Sequence, residues 1–464
     1  MSIRYTPRDG APKKGHRSVA VGLAGTLIIA AALIVAADPA FSASPSGTVY
    51  AFGQNSSGQL GDGTTTQHDT PEAIALVSGV AATAIAAGPI HSAAIGTDGN
   101  LDEWGTNLVG QVGNGTSGTV QDVPDQITLA SGVGALATSA GSQLELAIGS
   151  NHDLYAWGDD EYGQLGDGGS TEQDSPEEIS LAPGVTPTAI AAGTQAGYAI
   201  GSDGKLYAWG NNAYGQLGDG TTTDRSTPEV ISLATNVTPV AISAGWFHVV
   251  AIGSDGKLYA WGHNESGELG DGTTTDRNTP EAITLPSGAS PTAVAASVSD
   301  TTNPYDPTNQ YGFSLAIGSD GTLYAWGDNS AGELGDGTTT DHDTPEAITL
   351  ASGVTPTAIA AGRNHGLAIG SDGNLYAWGD NSSGELGDGT TTDHDSPEVI
   401  TLPSGESPIA IEAGDYHSLV IGAQQPGTGT PETPYALLLP AAALAIVGGI
   451  YGYGRRKAKR GAVA

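Results

Sequence analysis

One stretch, GKLYAWGNNAYGQLGDGTTTDRSTPEVISL at residues 204–233, comes back along the chain and constrains everything else. Its marks are an aromatic-Ala-Trp-Gly tetrad, then Gly-x-Leu-Gly-Asp-Gly, a Thr-rich acidic loop, and Pro-Glu before a short apolar run. The residue before the tetrad's glycine falls at Phe52, Trp104, Trp157, Trp209, Trp261, Trp326 and Trp378, at spacings of 52, 53, 52, 52, 65 and 52 residues. A second anchor follows at Leu60, Val112, Leu165, Leu217, Leu269, Leu334 and Leu386. Self-similarity at so long and regular a period is the mark of a repeat architecture.

Each period holds four short runs of strand character. In one copy they are residues 241–244, 248–252, 258–261 and 281–285, with Ser254-Asp255-Gly256 as a tight turn in which Asp-Gly accepts positive φ. Four short strands divided by turns predict one four-stranded antiparallel sheet. Such a sheet cannot bury both faces alone, and radial stacking covers each face with a neighbour. The chain is therefore expected to be all-β, a seven-bladed β-propeller over residues 44–423. A β-solenoid is the rival, but its rungs are usually shorter. The last repeat stops after His417–Ile421 without its Asp-Gly hairpin, and the first opens with Thr48–Gly53, which lacks an upstream partner. Pairing these two ends predicts a closed ring without an open face.

Composition bounds the function. The 15 Lys and Arg face 50 Asp and Glu, for a formal charge of −35. Five of the basic residues precede Ser18 and five follow Tyr453, so the repeats are strongly acidic. That excludes nucleic acid as a partner, since binding there rests on basic residues neutralising phosphates. Cysteine is absent, which removes disulfides and Cys-ligated metals.

The ends read as export and anchoring signals. Residues 1–43 carry a basic start, an uncharged apolar run from Ser18 to Ala37 and small residues near Ala43: a signal peptide, or an uncleaved signal anchor. Residues 424–434 are a Pro/Gly/Thr spacer, residues 435–453 an apolar stretch of membrane length, and residues 454–464 a basic tail expected in the cytoplasm. Apolar helices are thus expected to flank the propeller at both ends. The spacer–span–basic-tail order resembles Gram-positive cell-wall sorting signals, but a Leu-Pro-x-Thr-Gly site is missing. A plain membrane anchor with the propeller outside is the expectation.

The patterns Ala-Gly-x-x-His-Ser, Asp-Gly-x-Leu-Tyr-x-Trp-Gly and Gly-Gln-Leu-Gly are strongest at Gly193–Leu233, Gly245–Leu285 and Gly362–Leu402. Over residues 48–422 they resemble the regulator of chromosome condensation repeat family. The resemblance implies a seven-bladed propeller. It says less about activity, because the family spans a chromatin-bound nucleotide exchange factor and secreted protein-binding propellers, bacterial β-lactamase inhibitors among them.

Candidate sites follow from the repeat and its exceptions. His91, His248, His365 and His417 of Ala-Gly-x-x-His could ring a metal or bond to nearby backbone. The loop acids Asp219, Asp224, Asp271, Asp276, Asp336, Asp341, Asp388 and Asp393 are hard oxygen ligands that would suit Ca²⁺, or turn formers bonding local N–H groups. The recurring Tyr and Trp read as packing between blades. Trp246 and Phe247 break the turn pattern and read as a partner-facing pair. The 65-residue interval holds an insertion near 297–311, whose Tyr305, Asp306, Asn309 and Tyr311 are the contact candidates. There is no Gly-x-Ser-x-Gly elbow, Walker loop or His-Glu-x-x-His, so neither a catalytic residue nor a cofactor is expected. The function expected is an exported, monomeric surface scaffold that binds an extracellular protein or ligand. The alternatives are a lyase or hydrolase using rim carboxylates and, by family analogy, nucleotide exchange.

Overall fold

The computed structural model describes residues 46–299 and 312–424. The export, spacer and anchor segments and the contact candidates Tyr305, Asp306, Asn309 and Tyr311 lie outside the described residues. Among those described, helix is confined to the 3₁₀ turns Pro286–Gly288 and Pro403–Gly405, and no helix is long and apolar enough to cross a membrane.

Seven four-stranded antiparallel sheets account for the rest. Six are sequential: blades 1 to 6 take residues 82–127, 135–179, 187–231, 239–283, 291–348 and 356–400. Within each, strands a to d pair in chain order. The seventh sheet is composite. Its a and b strands are Ser407–Ala413 and His417–Ala423, and its c and d strands are Thr48–Gly53 and His68–Ile74. Val49 pairs with Ile421 and Phe52 with Ser418 across that junction. The a strands contact one another from blade to blade, blade 7 against blades 6 and 1, so they line the axis and the d strands form the outer edge.

The strands form here because the pattern suits a sheet buried on both faces. In blades 1 to 6 each b strand is buried along its whole length, as is each c strand such as Leu206–Gly210, and in the composite blade only Ala423 and Thr48 at the strand ends are half-buried. The d strands are exposed or half-buried at most positions and each carries a proline, such as Pro228 in Arg225–Ile231. A proline on an outer strand removes a donor from an edge that would otherwise invite another chain. The core is a series of apolar layers between blades. One joins Tyr198, Leu206 and Leu217 of blade 3 to Ile242, Val249 and Trp261 of blade 4. The composite blade is layered in the same way, Phe52 and Val420 against blade 6 and Val49 and Leu419 against blade 1.

Candidate rim site

Strands alternate in direction, so the a–b turns and c–d loops emerge on one face and the Asp-Gly b–c turns on the other. The first face collects the side chains that depart from the repeat. Its floor is set by the Trp column. Each Trp indole N–H donates to a carbonyl in the Gly-x-Leu-Gly loop of the preceding blade: Trp209 to Gln164, Trp261 to Gln216 and Trp326 to Glu268, each at 2.8 Å. The glycine after that leucine lies against the same indole. A Cβ on Gly218, whose φ is +76°, would stand 2.8 Å from Trp261 Nε1.

The four histidines make a second tie between blades. His248, His365 and His417 approach Ser314, Ser418 and Ser92 of the next blade at 3.0, 2.9 and 2.9 Å. Each serine hydroxyl donates onward to a backbone carbonyl at 2.8 Å, so the imidazole Nε2 carries the hydrogen and donates to the serine. Burial pushes the three histidines down to about 3, which leaves them neutral. His91 meets Glu145 instead, at 3.1 Å. These are links between side chains of adjacent blades, where the sequence had offered a metal ring or bonds to local backbone. Among the described residues no group of three or more His, Asp or Glu is disposed to hold a metal ion.

The acidic loops are built by their own hydrogen bonds. Asp219 Oδ1 accepts from Thr221 N at 2.8 Å and Thr221 Oγ1 at 2.7 Å, while Oδ2 receives Arg225 at 2.6 Å. Asp271 repeats this with Thr273 and Arg277, and Asp336 and Asp388 with Thr338, Thr390, His342 and His394. The second acids, Asp224, Asp276, Asp341 and Asp393, accept from the backbone N–H of Asn212, Asn264, Asn329 and Asn381 at 2.8 to 3.0 Å. The two acids of each loop thus serve different partners, which is turn chemistry. Burial works against the charge of Asp219, Asp271, Asp336 and Asp388, but these donors outweigh it and hold the carboxyls below their ordinary range.

Trp246 and Phe247 are buried, each about 4% exposed. Phe247 stacks on Tyr214 of blade 3 with ring centroids 4.9 Å apart, and Trp246 lies against His263 at 5.9 Å. The expectation of a projecting pair fails because an a–b turn lies on the c–d loop of the preceding blade. Beneath it, His263 Nδ1 and Glu268 Oε1 are 2.5 Å apart.

Sequence reading missed a column of largely buried pairs on this face. Outside blade 1, where Gln111 Nε2 has no hydrogen-bond partner, the residue after each Trp-Gly (or Phe-Gly) and the central residue of Gly-x-Leu-Gly come together. Gln164 donates to Asp159 at 2.8 Å and Gln216 to Asn211 at 2.9 Å. In blades 5 and 6 the pairs are two acids, Asp328 with Glu333 and Asp380 with Glu385. Burial first, and the neighbouring aspartate second, push Glu333 up to about 9 and Glu385 up to about 8. The signal was present: the central residue is Gln in four repeats and Glu at 268, 333 and 385. On the adjoining turns Arg363 lies 3.5 Å from Asp415 and 5.1 Å over the ring of Tyr416.

Comparison with known proteins agrees with this architecture. Residues 30–302 match the RCC1-like domain, and residues 320–369 and 372–421 match the regulator of chromosome condensation (RCC1) repeat. The chain is 31% identical over 338 residues to the ultraviolet-B receptor UVR8 of Arabidopsis thaliana, covering 73% of this chain and 74% of the receptor. It is 29% identical over 398 residues to the E3 ubiquitin-protein ligase HERC2 of Homo sapiens, covering 84% of this chain but 8% of the ligase. Yeast RCC1 (Prp20), solved bound to Kap60, superposes with a TM-score of 0.69 at 20% identity, over 91% of this chain and 97% of that one. At that identity the likeness is one of fold.

Proposed function

The chain belongs to the RCC1-repeat family, and from that premise we propose that it is an exported, membrane-tethered scaffold whose a–b turn face binds a partner protein. One observation carries the reading. The strands repeat closely, while the turn residues that are partly exposed beside them do not: Ile90, Gln143, Arg363, Asn364 and Tyr416. A ring locked by its Trp and His ties supplies rigidity, and turns on a rigid ring are where recognition is commonly placed. One relative supports a binding or regulatory role by what it is called, a receptor.

In sequence the insertion lies between the a strand Pro291–Ala296 and the b strand Phe313–Gly318. Its Tyr305, Asp306, Asn309 and Tyr311 are proposed as contacts. Export and tethering rest on the two apolar segments and the basic residues beside them. The binding test is a pull-down with the full chain as bait. Exchanging Arg363-Asn364 and Asp415-Tyr416 for Thr-Gln, the blade 3 pair, should abolish capture without lowering the melting temperature. So should replacing the four insertion residues by alanine. Capture that survives both changes would place recognition elsewhere. For location, protease added to intact cells should remove the propeller and spare the C-terminal tail; protection of the propeller would sink the export reading.

A further inference from the structure

We infer that the edge where blades 6 and 7 meet receives one lysine or arginine side chain of the partner, held between the carboxylates of Asp380 and Glu385 and against the ring of Tyr416. The inference rests on the binding-scaffold reading and supplies the chemistry of one contact.

The repeat provides its own controls. In blades 3 and 4 and in the composite blade, the central residue of Gly-x-Leu-Gly meets a neighbour that complements it. Gln216 donates to Asn211 at 2.9 Å, Gln59 donates to Gln54 at 3.2 Å, and Glu268 pairs with His263 at 2.5 Å. In blade 5 the two facing groups are both acids, and the next blade repairs the mismatch. Asn364 Nδ2 donates to Glu333 Oε1 at 2.8 Å, and Ala331 N to Oε2 at 2.6 Å. In blade 6 the same mismatch stands without that repair. Ser383 N donates to Glu385 Oε2 at 2.7 Å, but Tyr416 occupies the place of Asn364, and Glu385 Oε1 is buried with no hydrogen-bond partner. A buried acceptor beside a second carboxylate calls for a donor, and a cationic donor satisfies both.

The surroundings fit an organic cation. Tyr416 already accepts one on its face, since Arg363 lies over it, but that guanidinium is directed to Asp415. Asp380 is bonded by Ser382 N at 2.8 Å and Ser382 Oγ at 3.2 Å and remains partly exposed, which gives the entry side. The charged groups that act on Glu385 besides Asp380 include Asp393, again an acid. A metal ion would need three or more protein ligands drawn together, and the described residues offer no such group. An ammonium or guanidinium brings its own directed N–H groups and needs only two carboxylates.

The exchange has a signature. Burial and Asp380 hold a proton on Glu385 up to about 8. At pH 7 the incoming cation therefore takes the place of that proton, which leaves for solvent. Binding should release up to one proton and tighten as the pH rises from 7 to 8.

The probes are three peptides, acetyl-Gly-Arg-Gly-amide, its lysine counterpart and its citrulline counterpart, titrated by calorimetry into the full chain in phosphate and in Tris. The two basic peptides should bind at least tenfold more tightly than the citrulline peptide, with a heat difference between buffers that reports proton release. Glu385→Gln installs the residue that Gln59, Gln111, Gln164 and Gln216 carry in the same place, so the fold tolerates it. It should weaken the basic peptides at least tenfold and end the proton release, and Asp380→Asn should weaken them similarly. Glu333→Gln should change neither. Equal binding of citrulline, undiminished binding in Glu385→Gln, no binding up to millimolar peptide, or a Ca²⁺ site that depends on Glu385 would each overturn the inference. A natural partner still captured by Glu385→Gln but lost on exchanging the turns would refute this contact and leave the scaffold reading standing.

Discussion

Glu103 stands where six other repeats place alanine, at Ala51, Ala156, Ala208, Ala260, Ala325 and Ala377. The column is fully buried, and neither oxygen of Glu103 has a hydrogen-bond partner. The indole of Trp157, close by, is engaged with Gln111 O at 3.1 Å. Burial first, and the nearby Glu145 second, push the Glu103 carboxyl well above its ordinary range. Glu145 itself is secured by His91 and Thr138. An unpartnered buried carboxyl costs free energy that an alanine would not. Glu103→Ala should therefore stabilise the chain by about 1–3 kcal/mol, measured by urea unfolding. The gain should grow with pH. Above pH 4.5 the unfolded chain loses this proton while the folded chain keeps it, so the wild type falls behind until the folded carboxyl also ionises. A variant less stable than wild type at pH 7 would mean that Glu103 has a compensating partner.

Blades stand or fall by contacts between neighbours. Trp261 and Gly218 are one such contact, an indole reaching over the glycine of the preceding loop to Gln216 O. Trp261→Phe keeps one aromatic ring in place and loses the bond, as Phe52 does naturally at the same place in the composite blade. It should cost about 1–2 kcal/mol. Gly218→Ala places a Cβ on the indole at a backbone angle that alanine resists, and should cost about 2–4 kcal/mol. Urea titrations that ranked the two in the opposite order would contradict the packing. This contact also shows what the sequence could reveal. The strands, the turns and the number of blades were legible because their signals lie within one period, as in Leu258–Gly262 and Ser254-Asp255-Gly256. The partners of Trp261 and His248 were not, because they lie 45 and 66 residues away on another blade. Trp246 and Phe247 misled for the same reason: a turn reads as surface until the neighbouring loop that covers it is known. The paired acids of blades 5 and 6 could have been found by aligning the repeats and comparing the two facing columns together, since neither column is unusual alone.

At the scale of the whole molecule, the composite blade joins residues 48–53 to 417–423, so the stability of every blade interface depends on a pairing more than 360 residues apart in sequence. Ala51 lies in that pairing, between Leu419 on one side and Glu72 on the other. Ala51→Pro should cost on the order of 3 kcal/mol and make the ends of the propeller the first sites cut in limited proteolysis. The outer strands already tolerate a proline each, so the damage would come from the position and not from the residue. Acids of two kinds, and the three buried histidines, then set how this ring answers pH. Asp62, Asp219, Asp271, Asp336 and Asp388 are held below their ordinary range because hydrogen bonds from loop donors outweigh burial. Their contribution is complete above the unfolded value near pH 4 and is lost as the pH falls through the folded values. Glu333 and Glu385 act in the other direction. Burial and their aspartate neighbours raise them to about 9 and about 8, so stability is greatest below pH 4.5 on their account and declines as the pH climbs toward those values. His248, His365 and His417, pushed down to about 3 by burial, add stability as the pH rises toward 6.5, while Glu412, pushed up to about 8 by burial, joins Glu333 and Glu385 in the alkaline loss. The melting temperature should therefore fall toward both the acid and the alkaline extreme. Glu333→Gln with Glu385→Gln should make the alkaline limb shallower, with Glu103 and Glu412 keeping the remainder, and leave the acid limb unchanged, because glutamine has no proton to lose. An alkaline limb as steep in this double variant as in the wild type would show that Glu333 and Glu385 are not among the buried acids that set it.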